Sequence, residues 1–137
     1  GREGAPTMRK FITGFGLLRH GAEMVLASGC GFRIRAEAVP LLPGAMRYAE
    51  DGHFAGGMGR NRTFVESLAR DGKLTLHVAP ALSKPLVELF FDSETSGGLL
   101  FSAPAEQARA VRDRFAATGE PIWEIGEVTP EMAMRIV

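Results

Sequence analysis

Three short stretches of this chain hold residues able to meet a charged ligand: Thr13-Gly14-Phe15-Gly16, Gly56-Gly57-Met58-Gly59-Arg60-Asn61, and Asp92-Ser93-Glu94-Thr95-Ser96-Gly97-Gly98. Glycine ahead of a helix lets the backbone turn so that amide groups, aided by the helix dipole, can face an anion, which makes Thr13, Gly14 and Gly16 phosphate-accepting candidates. The same residues also fit a plainer role, with Thr13 as a helix cap and the glycines as spacers for close packing. The GxGxxG spacing of a dinucleotide site is absent. In the second stretch, amides and a planar guanidinium can wrap an oxyanion, so Gly56, Gly57, Arg60 and Asn61 are candidates; a structural turn reads the residues as well. No Gly-Lys-Ser or Gly-Lys-Thr follows, which excludes a Walker loop. The carboxylates of the third stretch could hold Mg²⁺ only with help from substrate or water, and turn-forming and capping roles for Asp92 and Ser96 compete with that.

His20, His53 and His77 have no spacing that suggests a shared metal, and Met132, Met134 and Trp123 read as core residues rather than cofactor contacts. Cys30 is the only cysteine, so the chain has no internal disulfide and no cysteine-based metal cluster, which fits a cytoplasmic location.

The elements that must position these residues follow from the periodicity. Apolar residues at Leu17, Leu18, Met24, Val25 and Ala27 predict a helix over 17–27, stopped by Ser28-Gly29-Cys30-Gly31. Alternation predicts a strand over 32–39, a short helix spans about 43–50, and 53–61 reads as a glycine-rich loop. A helix over 62–70, a strand over 74–78 and a helical run ending near Phe90 come next, and 98–102 reads as a buried strand. The clearest helix, 105–117, is closed by Gly119 and reads as a packing helix; a strand over 121–128 and a short C-terminal strand complete the order. This order predicts an α+β layered α/β/α domain, its sheet of about four strands mostly antiparallel or mixed.

Composition limits the function classes. The chain has 137 residues, enough for one domain, with 45% hydrophobic and 23% charged residues. No apolar run of about 20 residues is present, so no membrane partner is expected. Sixteen basic residues balance sixteen acidic ones, so nothing favours nucleic acid.

Together the segments "TGFGLLRH" (13–20), "AVPLLPGA" (38–45), "GGMGRN" (56–61), "FDSETSGGLLFS" (91–102) and "IGEV" (125–128) resemble, in order and spacing, the C-terminal domain of selenophosphate synthetase (selenide, water dikinase), in the superfamily of aminoimidazole ribonucleotide synthetase. The resemblance implies an aminoimidazole ribonucleotide synthetase C-terminal-domain-like fold over 12–137, with 1–11 a mobile tail or domain junction. It also implies a phosphotransfer that uses ATP and Mg²⁺, usually with K⁺, to form selenophosphate, AMP and phosphate from selenide and water. The partner it implies is an N-terminal ATP-binding domain that forms a homodimer and supplies the reactive Cys or selenocysteine, the essential Lys and most metal-binding aspartates.

No catalytic residue is therefore expected in this chain, and no cofactor held tightly by it alone. Thr13, Gly14, Gly16, Gly56, Gly57, Arg60 and Asn61 would line the nucleotide and substrate cavity, and the isolated chain would be inactive. One departure matters: the family's Mg²⁺-binding Asp corresponds to Phe11, which cannot ligate a metal, and Arg19 replaces a small residue. Either the relative is degenerate or the stretch before Ile12 lies outside the natural junction. Two alternatives follow, a non-catalytic binding or regulatory domain of the same fold and another ATP-using synthetase of the superfamily.

Overall fold

Period-two alternation gives the main sheet one apolar face, and three helices cover it. The computed structural model describes residues 16–92 and 98–137, and the backbone alone of 9–11. Its elements are β1 (Arg9–Phe11), α1 (Gly16–Ser28), β2 (Gly31–Ile34), α2 (Ala45–Glu50), α3 (Met58–Arg70), β3 (Thr75–Val78), α4 (Lys84–Phe91), β4 (Leu99–Phe101), α5 (Ala108–Thr118), β5 (Gly126–Thr129) and β6 (Ala133–Ile136). Strands β3, β6, β2 and β5 form a sheet in that order, with β6 parallel to both β2 and β3 and β5 antiparallel to β2. The domain is thus α+β and layered, with a mixed sheet of four strands, as expected. Strands β1 and β4 pair antiparallel in a separate ribbon, so the stretch assigned to a tail or junction ends in a strand.

Register decides which side chains meet. Leu76, Met134, Phe32 and Val128 lie opposite one another across the sheet, and two residues further along β3, β6 and β2 so do Val78, Ile136 and Ile34. Helices α1, α3 and α4 bring Leu18, Ala22, Val25, Val65, Val87, Phe90 and Phe91 onto that face, where Leu18, Val65, Met134 and Ile136 lose all contact with solvent. The intervening residues His77, Arg135, Arg33 and Glu127 form a polar row on the opposite face, where Arg33 and Glu127 pair at 3.4 Å. At about 1.5–3 kcal/mol for each large apolar side chain fully buried, the helix-covered face supplies most of the drive to fold.

Several expectations need correction. The loop expected over 53–61 ends early, because α3 begins at Met58. Gly59 costs that helix about 1 kcal/mol relative to alanine, but full burial of Val65 on the same helix, about 1.5–3 kcal/mol, outweighs it. The strand expected over 32–39 stops at Ile34, and a 3₁₀ turn occupies Ala36–Ala38. The strand expected over 121–128 begins only at Gly126. Residues 98–102 do form a strand, but it is not buried: Leu99 is 44% exposed, because its partner is the isolated β1 rather than the main sheet.

The helix at 105–117 starts with a 3₁₀ turn and ends, as expected, at a left-handed Gly119. It buries none of its residues; its Phe115 ring stacks on Phe101 with centroids 6.2 Å apart. Its apolar stripe therefore meets Phe101 of β4 rather than the main sheet. Of the three residues read as core, Met134 is buried, whereas Trp123 is 56% and Met132 37% exposed.

Candidate functional site: a cationic depression at the start of α3

Three helix ends converge on Phe91 and Asp92. The first residue of α1, Gly16, has φ +72°, and a Cβ there would lie 2.5 Å from the Asp92 carbonyl oxygen and 2.9 Å from that of Phe91. Glycine at 16 is therefore required by close approach as well as by conformation. From α3, the buried Asn61 donates its side-chain amide to the Phe91 carbonyl at 2.9 Å and accepts from Arg19 Nη1 of α1 at 3.3 Å. Asp92 Oδ1 accepts the Ala55 amide at 2.9 Å, which anchors the turn that enters α3. A buried amide with both ends engaged holds its neighbours in one arrangement, since freeing either end would strand a polar group.

Beside this junction lies an open depression of about 660 Å³ lined by Arg19, Gly56, Gly59, Arg60, Thr63 and Phe64. Once α3 starts at Met58, Arg60, Thr63 and Phe64 fall three and four residues apart and so share one helix face. That spacing could have found Thr63 and Phe64, had the helix start been placed at 58 rather than 62. Arg19 lies over the Phe64 ring, its guanidinium carbon 4.2 Å from the centroid, a cation–π contact that holds the guanidinium at the rim.

The electrostatics favour an anion. Gly57 occupies the cap position of α3 and offers no side-chain hydrogen bond, and the first turn carries no acidic residue. The Met58 amide bonds to the Ala55 carbonyl at 3.1 Å, but the next two positions, Gly59 and Arg60, are those that a capping side chain would ordinarily serve. Arg60 is exposed and has no ion pair among the described residues, and none of the described residues lining the depression is acidic. An uncapped start of a 13-residue helix with the exposed Arg60 guanidinium beside it concentrates positive potential at one place.

Of the sequence candidates, Gly56 and Arg60 line the depression, Gly57 caps the helix above it, and Asn61 sits beneath it with both ends of its amide engaged. Gly16 belongs to the helix junction. Thr13 and Gly14, and residues 93–97 of the third stretch, lie outside the described residues. Cys30 is buried after α1, its amide bonded to Ser28 Oγ at 3.2 Å. Among the described residues no three His, Cys, Asp or Glu side chains come together as a metal site, and no helix is long and apolar enough to cross a membrane.

The fold and site define a class, a layered α+β domain that presents a basic depression at a helix start. Residues 6–137 match the family described as AIR synthase related protein, C-terminal domain, and the chain belongs to that family. It is 42% identical over 127 residues to a selenide, water dikinase of Pelobacter propionicus, covering 92% of this chain and 34% of that protein. Identity to the selenide, water dikinase of Nitratidesulfovibrio vulgaris is 38% over 117 residues, covering 85% of this chain and 31% of that protein. To selenide, water dikinase 2 of Peptoclostridium acidaminophilum it is 36% over 108 residues, covering 79% and 29%. The chain thus spans about a third of the length of the curated relatives it matches.

Proposed function

We propose that this chain serves as the C-terminal domain of an ATP-dependent selenophosphate synthetase, closing one side of a nucleotide cavity whose other side comes from an N-terminal ATP-binding domain. The observation that carries the proposal is the basic depression at the uncapped start of α3, built in part from Gly56 and Arg60 of the family-like segment. In phosphoryl transfer, negative charge spreads over the phosphate oxygens, and fixed donors aimed at them lower the barrier without reorganising. The Arg60 guanidinium and the amides of Gly59 and Arg60 would hold and orient such oxygens, and Phe64 with the stem of Arg19 would exclude water from one side.

Among its described lining residues the depression holds no Cys, His, Lys, Asp or Glu, and Thr63 has no base beside it to activate its hydroxyl; in this reading the nucleophile and the acid–base groups come from the N-terminal domain. Mg²⁺ would supply charge neutralisation when bound. The Phe11 side chain has no ligating atom and no three His, Cys, Asp or Glu side chains cluster among the described residues, so this reading looks to the N-terminal domain for the Mg²⁺ ligands. Leu42 (82% exposed), Tyr48 (62%) and Trp123 leave apolar side chains that a covering domain would bury; dimerisation through that domain and a cytoplasmic location belong to the same reading.

The test is a chimaera in which this chain replaces the matching segment of the Pelobacter propionicus selenide, water dikinase. Selenide-dependent AMP formation from ATP is expected from the chimaera and not from the chain alone. A chimaera that folds and binds ATP but forms no AMP with selenide would refute the proposal. Such a result would favour the second reading, a binding or regulatory domain, for which Phe11 at the carboxylate position is the supporting observation.

A further inference from the structure

We infer that Arg19 is the positioning residue of the depression, setting the first turn of α3 through Asn61 and Phe64; this rests on the oxyanion-binding reading above. Arg19 grips α3 at two points three residues apart, a hydrogen bond to Asn61 Oδ1 at 3.3 Å and the stacking contact with Phe64 at 4.2 Å. Residues at that spacing lie on one face of a helix, so a single side chain from α1 spans nearly a full turn of α3. Asn61 passes the constraint on to α4, because its Nδ2 donates to the Phe91 carbonyl at 2.9 Å while the residue is only 2% exposed.

The chemistry of the two ends makes the amide a one-way part. Turned over, Asn61 would set its NH₂ against the guanidinium and its oxygen against the Phe91 carbonyl, two repulsive contacts in a buried place. Arg19 and Phe91 therefore select one orientation together. Arg60 is the residue immediately before Asn61, so whatever fixes Asn61 also fixes the backbone that carries Arg60 and the amide of Gly59. Donors that stabilise a charged group must be held close to their working geometry, since a displacement of about 1 Å is enough to lose most of the effect.

Lysine cannot substitute. It keeps the charge but has no planar fork with which to lie on a ring and donate in the same plane to an amide oxygen. This separates positioning from simple attraction of an anion by charge.

The experiment is a titration of the ¹⁵N-labelled full chain with sodium pyrophosphate at constant ionic strength, followed through the backbone amides of Gly56, Gly59 and Arg60 and the Asn61 side-chain NH₂. Wild type is compared with Arg19→Lys, Arg19→Ala and Arg60→Ala, each first checked for a cooperative thermal transition. Both Arg19 variants are expected to bind pyrophosphate about tenfold more weakly, the loss expected when one charge-assisted hydrogen bond from the displaced Arg60 or the Gly59 amide is lost, and to shift the Asn61 NH₂ signals before any ligand is added. Arg60→Ala is expected to weaken binding and leave Asn61 unmoved. Arg19→Lys binding like wild type, or Asn61 unmoved in Arg19→Ala, would overturn the positioning role and leave the oxyanion site standing. A wild-type chain that ignores pyrophosphate would overturn the site and the positioning role together.

Discussion

Replacing Gly16 by alanine tests the helix junction most directly, because the structure gives both terms of the cost. The residue has φ +72°, and a left-handed conformation costs a non-glycine residue about 1–2 kcal/mol. The added Cβ would lie 2.5 Å from the Asp92 carbonyl oxygen, where ordinary contact begins at 3.4 Å. Relieving that overlap means separating α1 from the end of α4, and overpacking of this kind costs about 1–3 kcal/mol. Reduced freedom of the unfolded chain returns about 0.4–1 kcal/mol. The balance is a destabilisation of about 3 kcal/mol, and with about 2.1 cal/mol/K of unfolding entropy per residue it lowers Tm by about 10 °C.

Gly29 is the internal control: it has φ +70° but nothing within 4 Å of the place a methyl group would take, so Gly29→Ala carries the conformational term alone, about 1 kcal/mol. The assay is urea unfolding of wild type and both variants, with m compared to confirm that the same transition is measured. If Gly16→Ala costs no more than Gly29→Ala, the close approach of α1 to Phe91 and Asp92 is not a constraint in solution.

Two further outcomes follow from burial. Asn61→Ala leaves the buried Phe91 carbonyl without its donor and is expected to destabilise by about 2–3 kcal/mol in denaturant unfolding; a loss below about 0.5 kcal/mol, the usual range of surface changes, would contradict the three-helix tie. Leu18→Ala, at a site with no solvent exposure, is expected to cost about 3–5 kcal/mol, whereas Phe115→Ala on α5 should cost less than half as much, because α5 buries none of its residues. Equal costs would show that α5 is packed more tightly in solution than its exposure indicates.

Much of the fold was legible in local pattern. Period two marked β2 and β3, helical spacing marked α1 and α5, and Gly119 marked the end of α5, because these signals are carried by residues close in sequence. The ordered set of five family-like segments likewise pointed to the C-terminal domain family that residues 6–137 match. Gly56 and Arg60 were candidates for contact with an anion from their types, with a structural turn as the competing reading, and both line the depression.

What sequence could not decide was what each face would meet. The stripe on α5 looked like the best core helix, yet it buries none of its residues and its Phe115 stacks on Phe101 of the short strand β4, while the less regular α4 buries Val87, Phe90 and Phe91. Arg19 and Asn61 are 42 residues apart, and neither reads as a partner of the other until α1 and α3 pack side by side over β6 and β3. Gly16 could have been a phosphate turn or a spacer, and the answer lay in the position of the Asp92 carbonyl, three helices further along the chain. Periodicity fixes which face of an element is apolar, because a helix or strand is a local structure. The partner of that face, and hence the geometry of a site built from several elements, depends on long-range packing that exists only once the chain has folded.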